Sequence, residues 1–132
     1  MNLWLDTSAI LAVLDADDIN HKKAKRIWSS IIANREIIIT SNYILLETIS
    51  ILQNRLGLEA VRTFQFDLLP LLNIAWINEA DHNAGIMSVL TSGKRKLSLV
   101  DCTSFEVMNR LSLTRVFTFD KHFKEQGFDP LA

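Results

Sequence analysis

The sequence predicts an α/β fold in which a central, mostly parallel sheet of about five strands lies between helices on both faces. Short apolar runs of strand type alternate with longer segments of helical periodicity along the 132 residues. Three of the apolar runs end at an aspartate that stands just before a helical segment. The chain has 4 Gly and 2 Pro, too few for long linkers, and its length is that of a single domain, residues 1–132.

Asp6 stands at the carboxyl end of the first predicted strand, residues 3–5, and just before a predicted helix over residues 9–14. Thr7 and Ser8, which open that helix, are residue types that favour helix N-caps. In an open α/β sheet, ligands bind at the edge where strands end and helices begin. Asp6 is therefore a candidate functional residue, and a helix cap is its alternative role.

The remaining elements alternate in the same way, with polar turn signals between them. The later strand-like runs are residues 36–40, 73–77, 97–100 and 115–119, with a short edge strand within residues 127–131. The later helices are predicted over residues 21–34, 42–56, 58–72, 79–92, 102–111 and 121–124. In the helix over residues 79–92, periodicity predicts inward positions for Ala80, Ala84, Met87 and Leu90.

Glu47 lies in the middle of a predicted helix that is apolar on most of its surface, with Tyr43, Ile44 and Ile51 one turn away. Unpaired carboxylates are seldom buried, because removing the charge from water costs several kcal/mol. We therefore expect Glu47 to pair with a cation or to line a cavity. An exposed position at the edge of the helix is the alternative.

Asp101 and Asp120 share the setting of Asp6, since each follows a strand-like run and precedes a helical turn. In a parallel sheet these three aspartates emerge at one edge, where Glu47 can join them. Converging carboxylates repel one another unless a cation stabilises them. One or two Mg²⁺ or Mn²⁺ ions suit such ligands and activate water for phosphodiester hydrolysis. Three independent helix caps are the alternative.

The ordered set of segments around Asp6, Glu47, Asp101 and Asp120 resembles the acidic signature of PIN-domain proteins. More narrowly, it resembles the VapC-like ribonuclease toxins of prokaryotic toxin–antitoxin pairs, over nearly the whole chain. The resemblance implies a PIN-like three-layer sandwich, a cluster of these four residues that binds Mg²⁺ or Mn²⁺, and hydrolysis of RNA. Position 104 is Ser, where some relatives carry another acidic residue.

The resemblance also implies roles and partners. Asp6 and Asp101 are then the main metal ligands, Asp120 completes the shell directly or through water, and Glu47 holds a second metal or acts as general base. Thr7, Ser8 and Thr118 are candidates for hydrogen bonds that support this shell. The implied partners are an RNA substrate, such as a tRNA or rRNA loop, a second copy of the chain, and a cognate antitoxin whose helical tail blocks the site.

The net charge of −1, from 14 Lys and Arg against 15 Asp and Glu, is not the basic balance of a typical nucleic-acid-binding module. If the protein handles nucleic acid, local basic patches and a metal ion must therefore offset the acidic site. A solvated surface is the alternative for the patches at residues 22–26 and 94–96. His122 is also a candidate proton donor to the leaving oxygen. The patches are Lys22, Lys23, Lys25 and Arg26; Lys94, Arg95 and Lys96; and Lys121, His122 and Lys124.

Other readings remain open beside a toxin nuclease. A non-catalytic PIN-like module that binds RNA or protein has no need of four repelling carboxylates. A housekeeping RNA-processing PIN nuclease differs from a toxin only in context, although small size favours the toxin. A haloacid-dehalogenase-like phosphatase would need an aspartate at position 8, which is Ser8. A receiver domain would need paired acids at the end of the first strand, where only one acid stands.

The sequence also predicts where the protein works. No apolar run approaches the roughly 20 residues of a membrane helix. There is no charged and apolar leader of the signal-peptide kind, and Cys102 is the single cysteine. We therefore expect a cytoplasmic protein without a membrane span.

Overall fold

The computed structural model describes all 132 residues, and a sheet of five strands forms its centre. The strands are β1 (Asn2–Leu5), β2 (Ile37–Ser41), β3 (Leu72–Ala75), β4 (Arg115–Phe117) and β5 (Asp129–Pro130). Their order across the sheet is β3-β2-β1-β4-β5, and every neighbouring pair is parallel. The predicted parallel sheet of about five strands is confirmed.

Seven α-helices cover this sheet. They are α1 (Thr7–Leu14), α2 (His21–Ala33), α3 (Asn42–Arg55), α4 (Leu58–Thr63), α5 (Glu79–Ser92), α6 (Leu99–Arg110) and α7 (Lys121–Glu125). The chain moves from β1 to β3 in one direction and returns from β3 to β4. Right-handed crossovers therefore place α1–α4 on one face and α5–α7 on the other, which is the predicted three-layer sandwich. None of these helices has both the length and the apolar character needed to cross a membrane.

The central strand β1 lies in the middle of the hydrophobic core. Leu3, Trp4 and Leu5 are each at most 1% exposed, because helices cover both faces of a parallel sheet. At the end of β1, the Asp6 backbone N–H donates a 3.1 Å hydrogen bond to the Phe117 carbonyl at the end of β4. The most buried strand thus delivers Asp6 to the carboxyl edge of the sheet.

The helical stretch after α4 changes its winding before β3. Phe64–Leu68 form a π-helical turn and Leu69–Leu71 a 3₁₀ turn. Pro70 lacks the N–H that a regular helix requires, so regular α-helix cannot continue through it. The helix predicted over residues 58–72 is therefore present as a continuous segment that is α-helical, then π-helical, then 3₁₀-helical, and β3 begins at Leu72.

The predicted strand over residues 97–100 is wrong. Helix α6 begins at Leu99, and Ser98 is its N-cap. The Ser98 hydroxyl accepts a 3.0 Å hydrogen bond from the Asp101 N–H, and the Asp101 carboxylate accepts one of 3.3 Å from the Ser98 N–H. This reciprocal capping box places Asp101 in the first turn of α6 rather than after a strand.

The predicted inward face of α5 is also mostly wrong. Ala80 is exposed, and Met87 and Leu90 are 61% and 70% exposed. Gly85 is buried instead, and a Cβ atom there would lie 2.4 Å from the Thr103 Cγ2 atom of α6. The missing side chain lets α5 and α6 approach closely, and this contact turns an apolar stripe of α5 outward.

Candidate active site

Four carboxylates lie within the first two turns of helices that begin at the carboxyl edge of the sheet. Asp6 is the N-cap of α1 and Asp120 is the N-cap of α7. Asp101 lies in the first turn of α6, and Glu47 lies in the second turn of α3. Helix capping and a place in the site are therefore compatible, since Asp6, Asp101 and Asp120 all cap helices at this edge of the sheet.

Hydrogen bonds from two hydroxyls orient Asp6, which is 5% exposed. Its Oδ2 atom accepts a 2.7 Å hydrogen bond from the Ser8 hydroxyl and a 2.8 Å hydrogen bond from the Thr118 hydroxyl. The Ser8 oxygen in turn accepts from the Phe119 N–H at 2.9 Å. No protein donor reaches Asp6 Oδ1, so one oxygen is fixed by the fold and the other is available to a ligand.

Burial raises the pKa of Asp6 from 3.8 to about 6. The hydrogen bonds from Ser8 and Thr118 lower that pKa, but they do not offset the loss of hydration. The negative charges of Asp101 and Asp120 raise it further. Asp6 is thus held where its charge is costly, which is the setting in which a bound cation stabilises a carboxylate.

Glu47 and Asp101 also have raised pKa values, first because both are partly buried. For Glu47 the Thr7 side chain lowers the pKa, while the charges of Asp6 and Asp120 raise it. For Asp101 the charges of Asp120 and Glu47 raise the pKa against the hydrogen bonds of its capping box. These mutual effects show that the four carboxylates share one electrostatic environment.

Three side chains come closest to a preformed ligand set. Ligand atoms of Asp101, Asp120 and His122 all lie within 4.8 Å of one another. His122 Nδ1 lies 2.8 Å from Asp120 Oδ1, off the line of a hydrogen bond, and the His122 N–H donates to that oxygen at 2.9 Å. Asp6 and Glu47 do not belong to this set of three.

His122 is the residue that the sequence analysis did not identify as a candidate ligand. The only signal was its position two residues after Asp120, which brings its backbone N–H and its ring to the same carboxylate. The sequence makes His122 a candidate proton donor, but its proximity to Asp101 across two helices cannot be deduced from spacing along the chain.

The donor set suits a hard divalent cation. No Lys or Arg side chain forms a salt bridge with Asp6, Glu47, Asp101 or Asp120, and His122 is the one partner within 4.0 Å. Carboxylate oxygens are the ligands of Mg²⁺ and Mn²⁺. Bound there, a divalent ion would balance the mutual repulsion, polarise a phosphate and activate water.

An apolar cleft of about 380 Å³ opens beside Glu47, which forms part of its lining. Across this cleft the Tyr43 hydroxyl and His82 Nδ1 lie 2.5 Å apart, linking α3 to α5. Leu99 and Val100, from the first turn of α6, complete the wall near Asp101. The carboxylate site therefore borders an apolar surface on the α3 side.

The predicted basic patches occupy different places. Lys94, Arg95 and Lys96 are exposed, and Lys94 lines a groove with Glu106 and Gln126 that contains none of the four carboxylates. Lys121 and Lys124 line a cleft that includes Asp120. The patch on α7 therefore shares a cleft with Asp120, whereas Lys94 lines a different groove.

Comparison with known proteins identifies the family. Residues 3–129 match the PIN domain. The chain is 30% identical over 127 residues to the 23S rRNA-specific endonuclease VapC20 of two Mycobacterium tuberculosis strains, covering 96% of this chain and 95% of that protein.

Solved structures agree with this result. The crystal structure of Mycobacterium tuberculosis VapC20, described as a sarcin–ricin loop cleaving toxin, matches with a TM-score of 0.85 at 29% identity over 96% of each chain. The structure of FitAcB from Neisseria gonorrhoeae has a TM-score of 0.70 at 19% identity, covers 100% of this chain and 97% of that chain, and supports the fold alone. The resemblance predicted from the acidic segments is confirmed: the chain belongs to the PIN-domain family and, within it, to the VapC-like ribonucleases.

Proposed function

We propose that this protein is a divalent-metal-dependent endoribonuclease that hydrolyses a phosphodiester bond in a structured RNA loop and acts as the toxin of a toxin–antitoxin pair. One observation carries the proposal: four carboxylates converge on the carboxyl edge of the sheet without a Lys or Arg partner, and burial and mutual repulsion raise the pKa values of three of them. Such an arrangement is unfavourable without a cation and suits catalysis with one.

The roles of the side chains follow from their settings. Asp6, Asp101 and Asp120 hold one or two Mg²⁺ or Mn²⁺ ions, and the available Oδ1 atom of Asp6 is its ligand atom. His122, beside Asp120, is a further candidate ligand or a proton donor to the leaving oxygen. A bound ion supplies Lewis-acid stabilisation of the phosphate and lowers the pKa of water.

Glu47 is the general base in this proposal. It lies outside the set formed by Asp101, Asp120 and His122, and burial raises its pKa, which makes it a stronger base than an exposed glutamate. Glu47 takes the proton from water as the water oxygen bonds to phosphorus. The bond from phosphorus to the leaving oxygen breaks, and that oxygen gains a proton from His122 or from solvent. A second metal held by Glu47 is the alternative role.

The similarity to VapC20 supports rRNA, and within it the sarcin–ricin loop of 23S rRNA, as the substrate. The test is to incubate the purified protein with ribosomes in Mg²⁺, in Mn²⁺ and in EDTA, and to map new RNA ends by primer extension. A single metal-dependent cut in that loop supports the substrate. Cuts in tRNA alone would assign a different loop, and no cut in any RNA would favour a non-catalytic binding module.

The toxin assignment implies a cognate antitoxin and a cytoplasmic site of action, and the surface also favours a homodimer. Met87 and Leu90 on α5 are exposed with Ile86 beside them, and Trp76 is 69% exposed. Exposed apolar surface of this kind marks contact with another protein. Sedimentation velocity of wild type and Leu90→Glu tests the dimer, and co-purification with the product of an adjacent reading frame tests the antitoxin. A housekeeping RNA-processing nuclease would lack that partner.

A further inference from the structure

Six exposed cations on α2 and α7 form a continuous surface that begins at the carboxylate site. We call this surface the basic strip, and its residues are Lys22, Lys23, Lys25, Arg26, Lys121 and Lys124. These residues line three adjoining clefts. The first contains Asp120 and Thr118 of the carboxylate edge together with Lys23, Lys121 and Lys124.

The other two clefts continue away from the site along α2. Lys23 also lines the second cleft, together with Arg26, Ile27 and Ser30. Arg26 in turn lines the third cleft, together with His21, Lys22 and Lys25. Because Lys23 and Arg26 are each shared by two clefts, the strip runs without interruption from Asp120 along one face of α2.

The cations of the basic strip have no protein partners. None of the six forms a salt bridge, whereas Arg62, Arg110 and Arg115 elsewhere are paired with carboxylates. Asp120 is the only acidic side chain that lines any of the three clefts. Six of the 14 Lys and Arg residues are thus gathered, unpaired, in a chain whose net charge is −1.

This charge distribution is better explained by binding to the backbone of an RNA strand than by simple exposure of a helix face to solvent. Lysine and arginine neutralise successive phosphates, and the release of counterions drives such binding. An acidic protein segment would meet the same cations. However, the strip ends at the carboxylates that the proposed function assigns to phosphodiester hydrolysis, and a strand lying along it enters that site directly.

We propose that the basic strip binds the phosphate backbone of the substrate RNA on one side of the scissile bond, with Lys23 and Arg26 as its central contacts. The inference rests on the proposed function, because it assigns a path to the RNA that the carboxylate site cleaves. It predicts binding through phosphates, so the strip contributes affinity for any RNA sequence and selects none.

The test compares two double variants with the same change in net charge. Lys23→Glu/Arg26→Glu alters the strip, and Arg35→Glu/Arg55→Glu alters two exposed arginines outside the three clefts. Binding of a fluorescent sarcin–ricin hairpin and of an unrelated single-stranded RNA is measured in EDTA, which prevents cleavage, over a series of salt concentrations. Circular dichroism and thermal melting check that both variants are folded.

We expect the strip variant to bind both RNAs about tenfold more weakly near 0.1 M salt, and the slope of log affinity against log salt to fall by about 1.4 for the single strand. In the presence of metal its KM for cleavage rises while kcat is unchanged. The neutral variant Lys23→Gln/Arg26→Gln shows a smaller effect in the same direction. The control variant stays within about twofold of wild type.

Two results would contradict the proposal that the basic strip binds RNA. The first is a strip variant that keeps the RNA affinity and the salt slope of the wild type. The second is an equal loss of RNA affinity in the strip variant and the control variant, which would show that net charge alone determines binding. If a purified antitoxin binds the strip variant poorly while RNA binds normally, the surface contacts protein instead. The two proposals can be distinguished. If the wild type cleaves RNA with metal and the strip variant binds RNA as well as the wild type, only the proposal about the basic strip is wrong. If the wild type neither binds nor cleaves RNA, both proposals are wrong.

Discussion

The Thr118 hydroxyl donates a 2.8 Å hydrogen bond to Asp6 Oδ2 and so joins the carboxyl ends of β4 and β1 across 112 residues of sequence. The same hydroxyl oxygen accepts from the Asp120 N–H at 2.9 Å. One side chain therefore fixes the orientation of one carboxylate and the backbone of another. This relationship makes the carboxylate site a property of the sheet edge rather than of any single loop.

Thr118→Val should impair catalysis more than folding. The substitution keeps the shape of the side chain but removes a hydrogen bond that lowers the pKa of Asp6, so that pKa rises further above 6. We expect kcat/KM to fall by about 10- to 100-fold and the acidic limb of its pH profile to move to higher pH. Thr63→Val, at an exposed position, is the control and should change neither. A reduced rate with an unmoved pH profile would assign Thr118 a structural role only.

Asp6→Asn should stabilise the metal-free protein at neutral pH. The pKa of Asp6 is about 6 in the folded state and 3.8 as the ordinary value, so the folded protein binds the proton more tightly. Ionisation therefore costs stability as pH rises from about 4 to 6, by about 3 kcal/mol at pH 7. Asparagine has no charge to desolvate and keeps an oxygen that accepts from Ser8 and Thr118.

The measurement is urea unfolding of wild type and Asp6→Asn in EDTA at pH 4 and pH 7. We expect the variant to be more stable at pH 7, with the advantage disappearing at pH 4. Adding Mg²⁺ should stabilise the wild type and reduce the difference. An advantage of equal size at both pH values would contradict the buried charge as its cause.

Glu47→Gln and Asp101→Asn should separate proton transfer from metal binding. If Glu47 is the general base, Glu47→Gln lowers kcat by about 10²- to 10⁴-fold and leaves the thermal stabilisation by Mn²⁺ intact. Asp101→Asn lowers activity and reduces that stabilisation, which for wild type is about 2.7 kcal/mol at 100 times the Kd of the ion. Loss of metal stabilisation in Glu47→Gln would indicate instead that Glu47 is a metal ligand.

Gly85→Ala should destabilise the contact between α5 and α6. The new methyl group would lie 2.4 Å from Thr103 Cγ2, and the Thr103 side chain is held by its hydrogen bonds to the Leu99 and Val100 carbonyls. The helix propensity of alanine returns about 1 kcal/mol, but overpacking costs more, so we expect a net loss of about 1–2 kcal/mol.

Urea unfolding measures this loss, with the exposed substitution Asn83→Ala as a control that should stay within about 0.5 kcal/mol. Because α6 carries Asp101 in its first turn, the displacement should also lower kcat/KM. An unchanged or increased stability of Gly85→Ala would show that the two helices can separate without cost.

The fold could be predicted because its signals are local. Buried parallel strands are continuous apolar runs, and the run that ends at Asp6 predicts both strand β1 and the position of Asp6 at the carboxyl edge of the sheet. The strand predicted over residues 97–100 is wrong although it puts Asp101 at the correct edge, because Ser98 and Asp101 have the spacing of a capping box and begin a helix.

The parts that could not be predicted depend on contacts between elements. Periodicity on α5 shows an apolar stripe, but it does not show whether that stripe faces the core or another protein, and the close approach at Gly85 decided this. The proximity of His122 to Asp101 and the continuity of the clefts through Lys23 likewise arise from tertiary placement.

The most direct test of the central claim is the cleavage of a sarcin–ricin loop hairpin by the purified wild type, Asp6→Asn, Asp101→Asn and the exposed control Asp67→Asn, each in Mg²⁺, Mn²⁺ and EDTA. We predict metal-dependent cleavage by the wild type and Asp67→Asn, and at least about a 100-fold slower reaction in the two site variants. Cleavage that persists in EDTA, or that survives both site substitutions in folded protein, would contradict a metal-dependent site built from these carboxylates.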